Sequence, residues 1–169
     1  MKILNALFIG TAAVALIAAA DARAEWPEKP IQFIIPFGAG GGADIEGRLI
    51  AKAMSGVLGQ PVVPINKPGG GGAITYTFVK NSAPDGYTVA WNSTSVLTTT
   101  NIGNVPFDYT ALEHIGQVAQ QPVPFVVKKN ARWNTLKAFM DECKAKPNTL
   151  KVAFAGFGSA THMAGVAMT

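Results

Sequence analysis

A glycine-rich turn, Pro36-Phe37-Gly38-Ala39-Gly40-Gly41-Gly42-Ala43-Asp44, separates an apolar run at residues 31–35 from a helix-like run at 45–58. No other stretch constrains the fold as strongly. The run before the turn reads as a strand over residues 31–36. The run after it repeats Ile45, Leu49, Ala53 and Val57, the spacing of one apolar helix face. Asp44 is a good N-cap, Glu46 lies near the positive helix end, and Gly56 and Gly59 can end the helix. A strand-turn-helix of this kind leaves backbone N–H groups bare at a helix start, a seat for a carboxylate or phosphate. The glycines let an anion approach the main chain with no Cβ in the way.

Strand-like and helix-like segments then alternate. Strands are expected at 62–65 and 87–91, with a helix at 73–81 between them and a turn at Pro84-Asp85-Gly86. The Ser-, Thr- and Asn-rich stretch 92–104 should start a short helix, and 112–119 reads as a strand. Gln120-Gln121-Pro122 marks a boundary, after which the pattern restarts. A strand at 123–127, a helix at 136–146 capped by Thr135, a strand at 150–155, a turn at 156–160 and a helix from Thr161 follow. This β-α-β rhythm implies an α/β fold with parallel strands. The sequence stops at Thr169 inside an apolar helix-like run without a cap, and the second unit has only two strands. The expectation is a truncated chain.

Met1 to Ala24 reads as a secretory signal peptide: Lys2 supplies the positive start, an Ala-rich apolar run follows, and Ala22-Arg23-Ala24 is an A-x-A site. The apolar run is short for a membrane span of about 20 residues. Of 14 basic and 10 acidic residues, removal of Lys2, Arg23 and Asp21 leaves 12 and 9. That mild excess shows no cluster, so nucleic-acid binding is not expected. The single Cys143 lies at helical spacing with Leu136, Phe139 and Met140 and reads as a core residue.

Several chemistries fit poorly. Gly38-Ala39-Gly40-Gly41-Gly42-Ala43 matches the dinucleotide pattern G-x-G-x-x-A, which keeps a nucleotide-dependent oxidoreductase as the alternative. The acidic residue expected after the second strand is replaced by Asn66 and Lys67. The glycines at 69–72 lack the Lys of a nucleotide P-loop and read as a surface connection. Ser159 and His162 could share a helix face, yet Phe157 and Thr161 stand where a nucleophile elbow needs glycine. His114 and His162 are the only histidines, with no ligand at metal spacing, so neither a catalytic residue, a metal nor a cofactor is expected.

Neutral donors remain at three strand-to-helix turns: 37–44, Asn92-Ser93-Thr94-Ser95, and Gly156-Phe157-Gly158-Ser159-Ala160-Thr161. In open α/β sheets ligands sit outside the carboxyl ends of strands. A cleft between two units, lined by amides and hydroxyls, suits a small anionic or polar solute. Asp44 reads more as a structural cap than as a ligand contact.

These residues resemble the extracytoplasmic solute receptors of tripartite tricarboxylate transporters, the Bug-type receptors. The similar pieces are Trp26-Pro27-Glu28-Lys29-Pro30-Ile31, Ile35 to Asp44, Leu58-Gly59-Gln60-Pro61-Val62-Val63, Asn66-Lys67-Pro68-Gly69, Ala83-Pro84-Asp85-Gly86-Tyr87-Thr88, and Ala155 to Gly165. Their order and spacing run through the mature chain. The resemblance implies a two-lobed, periplasmic-binding-protein-like fold of type II-like form, incomplete at the C-terminus. Residues 25–121 would begin lobe 1 and 122–169 would begin lobe 2. It implies a periplasmic location, a small carboxylate as ligand, integral membrane transporter subunits as partners, and a monomer. Carried over by position, Phe37, Gly38, Ala39, Gly40, Gly41 and Asp44 would meet the ligand from one lobe, with Asn92, Ser93 and Thr94. Gly158, Ser159, Thr161 and His162 would close from the other. Gly38 stands where Pro is commoner in the family, and Phe157 where Asn is frequent, which should loosen the turn and remove a polar contact. A chain of this length is expected not to bind tightly by itself.

Overall fold

The structure, a computed structural model, describes residues 25–168. The signal-peptide segment 1–24 and residue 169 lie outside the described residues. The order is β1 (Ile31–Ile35), α1 (Gly42–Leu58), β2 (Val62–Asn66), a 3-10 turn (Gly70–Gly72), α2 (Ala73–Lys80), β3 (Thr88–Ala90), α3 (Ser95–Asn101), a second 3-10 turn (Tyr109–Ala111), α4 (Leu136–Ala145) and α5 (Ala160–Val166). The fold is α/β.

β1 is the central strand of a parallel three-stranded sheet ordered β2-β1-β3. Ile31 pairs with Val62, and Phe33 with both Pro64 and Val89. Each β-α-β crossover delivers the next strand parallel to β1, which is what the alternating sequence rhythm requires. Ile31, Phe33 and Ile35 form the core with Ala51 and Val62, and Met54, Leu58 and Trp91 pack around it. Alternation along the strand sends the equally buried Ile34 to the opposite face.

The buried face of α1 is not the expected one. Ile45, Leu49 and Val57 are exposed, Val57 at 86%, and Ala53 is exposed too. Asp44, Gly47 and Ala51 face inward instead. The reason is the closeness of helix and sheet at Gly47, where a Cβ would stand 2.9 Å from Ile35 Cδ1. A stripe of small residues permits that approach; the bulkier stripe does not.

Caps also differ. Gly41, not Asp44, is the N-cap of α1, and Asp44 lies one turn inside. At the other end Gly59 adopts the left-handed conformation (φ 67°), and its N–H donates to Ser55 O. Thr135 caps α4, its hydroxyl accepting from Ala138 N. α5 starts at Ala160 with Ser159 as cap, ahead of the expected Thr161.

The segments 112–119, 123–127 and 150–155 form no strands. None has a ladder partner among the described residues, and without one an apolar, β-prone segment leaves its amides to water. Of the expected apolar cluster on α4, Phe139 is buried, Met140 and Cys143 are half-buried and Leu136 is exposed. Phe139 packs between Phe125 (centroids 4.6 Å) and Trp133 (5.0 Å).

Candidate functional site

The first turn is held by a polar ring behind it. Asp44 Oδ2 accepts the Gly40 N–H at 2.9 Å. Its Oδ1 accepts Arg48 Nε and Asn66 Nδ2, both at 2.9 Å. Asn66 Nδ2 also donates to Phe37 O, and Arg48 donates to Asn66 Oδ1. The Arg48 guanidinium foremost, with the Gly40 amide and Asn66, pulls the Asp44 carboxyl down to about 2. Asp44 is therefore a charged, buried, fully engaged brace. Arg48 offsets its charge, which removes much of its repulsion toward an anion.

The amides of Gly38, Ala39, Gly41, Gly42 and Ala43 donate to no acceptor among the described residues. Gly38 to Gly42 are exposed. Gly41 to Ala43 stand at the start of a 17-residue helix. They form the bare N-terminal end that the sequence suggests, with Gly40 alone occupied. Phe37 is half-buried and meets Trp91 edge-on, centroids 6.0 Å apart.

In the second turn Ser93 N donates to Asn92 Oδ1 at 2.7 Å, and Ser95 N donates to Ser93 Oγ at 3.2 Å. Thr94 is exposed. In the third turn Ser159 is buried, and its hydroxyl accepts His162 N and meets Thr161 Oγ1 at 3.0 Å. Thr161 Oγ1 also accepts Ala155 N. His162 Nδ1 accepts the Gly158 N–H at 3.2 Å, with the ring between Phe154 and Phe157. These side chains chiefly brace their own turn.

The second and third turns meet directly. Ala160 N donates to Ser95 Oγ at 3.2 Å, and Thr98 Oγ1 donates to Gly158 O. The glycine run joins them: a Cβ at Gly71 would lie 2.6 Å from Phe157 O. The first turn reaches the second through Phe37 and Trp91. No hydrogen bond or ring contact joins the first turn to the third among the described residues.

Sequence reasoning missed Arg48, Asn66, Ser95 and Gly71. Arg48 had a signal, the i, i+4 spacing from Asp44. The other three act across distant elements, and Gly69–Gly72 is a packed junction with Gly71 and Gly72 buried, not a surface connection. Asn66 fills the place where a dinucleotide fold carries an acid, and its side chain is committed to the turn.

The family profile described as tripartite tricarboxylate transporter family receptor matches residues 47–169. The chain belongs to that receptor family. BugT of Bordetella pertussis is 34% identical over 161 residues, covering 93% of this chain and 48% of BugT. A relative from Cupriavidus necator is 33% identical over 92% of this chain and 47% of its own length. Among solved structures, the periplasmic binding protein BugD superposes with a TM-score of 0.69 at 32% identity, over 85% of this chain and 48% of BugD. A TctC solute binding protein from Polaromonas gives 0.55 at 36% identity, over 71% and 42%. The chain thus spans about half the length of the curated relatives it matches. This receptor family is periplasmic, and its members are solute-binding proteins. No helix among the described residues is long and apolar enough to cross a membrane.

Proposed function

We propose that this chain belongs to a receptor that takes a small carboxylate in the periplasm and delivers it to the integral membrane subunits of a tripartite tricarboxylate-type transporter. Residues 1–24 would direct its export. The observation that carries this reading is the row of unengaged amides at Gly41, Gly42 and Ala43, backed by the Asp44–Arg48–Asn66 ring. The ring fixes the turn without adding net charge. A carboxylate can accept several N–H groups, which a ligand lacking acceptor oxygens cannot.

The remaining contacts follow from the neighbouring turns. Asn92, Ser93 and Thr94 offer hydroxyl and amide groups beside Trp91. Gly158, Ser159, Thr161 and His162 are braced internally, so they would present backbone to the solute more than side chain. Asp44 acts as a positioning residue. Residues 25–121 and 122–169 would form parts of two lobes, and a ligand bridging them would favour the closed state by its differential affinity. Each hydrogen bond to a carboxylate contributes about 1.5–3 kcal/mol, so three suffice for roughly millimolar to micromolar binding.

The reading is non-enzymatic and monomeric, without nucleic acid, metal or cofactor. A thermal-shift panel of di- and tricarboxylates, run beside an NADH fluorescence titration, tests it. Stabilisation by at least one carboxylate with no saturable NADH quenching is expected. Saturable NADH quenching without carboxylate stabilisation would favour the oxidoreductase instead.

A further inference from the structure

Tyr76, on the first turns of α2, carries the one buried side-chain polar atom among the described residues that has no hydrogen-bond partner. The residue is 1% exposed. A buried hydroxyl without a partner is costly and rare in native proteins, so its position asks for an explanation. Its ring lies against Gly72, where a Cβ would stand 2.8 Å from the phenolic oxygen. Gly72 has φ +112°, and three further left-handed glycines precede it. The run is thus contorted in a way that leaves room for the tyrosine head.

Ser93 lies beside the same hydroxyl, without forming a hydrogen bond to it. Ser93 Oγ accepts from Ser95 N, and its own hydroxyl proton goes to no acceptor among the described residues. Two hydroxyl donors therefore face one place with no acceptor between them. Ser93 is half-buried and Thr94 exposed, so the tyrosine head lies just beneath the surface of the second turn. Burial pushes the Tyr76 hydroxyl well above its ordinary titration range, so it stays protonated and able to donate.

We propose that Tyr76 is a ligand-contacting residue, its hydroxyl and that of Ser93 donating to one carboxylate oxygen of the solute at the junction of the Gly69–Gly72 run and the second turn. This rests on the receptor reading and deepens it. An acceptor-only group satisfies both donors at once. An ammonium or an aliphatic end would leave Tyr76 unpaired. Tyr76 would then discriminate for a solute with a carboxylate at this end, apart from the one seated on the Gly41–Ala43 amides. The solute class is a dicarboxylate or larger polycarboxylate, not a monocarboxylate.

The test uses the 169-residue chain labelled with ¹⁵N and with ¹³C at tyrosine Cζ, titrated to high millimolar succinate and, separately, acetate. Tyr76→Phe identifies the Tyr76 resonance by its loss. Expected are a succinate-dependent shift of that resonance, no such shift with acetate, and a dissociation constant for succinate at least tenfold higher in Tyr76→Phe, without a lower melting temperature. If succinate moves the amides of residues 38–43 but leaves the Tyr76 resonance still, the Tyr76 assignment is overturned and the receptor reading stands. If succinate moves neither set, the receptor reading falls and the assignment falls with it. The wild-type resonance decides the matter even where the variant does not fold.

Discussion

Asp44 Oδ2 accepts the Gly40 amide at 2.9 Å, so one carboxylate occupies a single donor of the first turn and leaves its neighbours bare. The same carboxylate is tied through Oδ1 to Arg48 and Asn66. A side chain that might have competed with a solute thereby positions the donors for it.

Gly42 is the first residue of α1, and a Cβ there meets nothing within 4 Å. Proline suits that first helical position and loses no helix hydrogen bond. Gly42→Pro therefore removes one bare donor and little else. Carboxylate binding should weaken by about tenfold or more, since a hydrogen bond to a charged group contributes about 1.5–3 kcal/mol. The melting temperature should stay within a degree or rise. Calorimetry and a thermal melt on the same variant check both halves.

Acid sensitivity follows from Asp44 and Glu142. Asp44 is lowered from 3.8 to about 2, chiefly by Arg48, and Glu142 from 4.5 to about 2, chiefly by Arg132. A carboxyl with a depressed folded-state pKa binds fewer protons folded than unfolded, so stability rises with pH across that interval. Its contribution is present above the unfolded values near 4 and is lost as pH falls through about 2. Urea midpoints should be flat from pH 7 to 5 and fall steeply below 4. Arg48→Ala should move the start of that fall to higher pH.

Gly71 holds φ +65°, and a Cβ would lie 2.6 Å from Phe157 O, a backbone atom that cannot swing aside. Gly71→Ala should cost about 2 kcal/mol or more through crowding and the left-handed conformation. It should also loosen the third turn from the glycine run. Hydrogen exchange at Gly158 and Ser159 measures that loosening, with faster exchange expected.

Ser95 is buried, and its hydroxyl accepts the Ala160 N–H across 65 positions of sequence. Ser95→Ala leaves that amide without its acceptor, at a cost of about 1–2 kcal/mol. The denaturation midpoint should drop accordingly. Ser95→Thr, which keeps the oxygen, should recover part of the loss.

Local signals were legible in the sequence. The Thr135 cap, the left-handed Gly59 and the parallel pairing of 31–35 with its neighbours each depend on residues close in sequence or on a strong rhythm. The inward face of α1 was not legible, because that helix carries two stripes. Ile45, Leu49, Ala53 and Val57 match an apolar face by hydropathy; Gly47 and Ala51 match it by size. Only the approach of Gly47 to Ile35 chooses between them. Strands at 123–127 and 150–155 were read from composition, while a strand is completed by its neighbour. Within the site, the bare amides were legible from the glycine turn. The ring through Asn66 and the junction at Gly71 were not, since both join elements far apart in the chain.

The most direct test of the central claim is an amide-resolved titration of the ¹⁵N-labelled chain with citrate. Saturable shifts should concentrate at Gly38, Ala39, Gly41, Gly42 and Ala43, with Gly40 moving least because Asp44 already holds it. Shifts confined to residues away from this turn, with those five amides unmoved at saturation, would contradict the account.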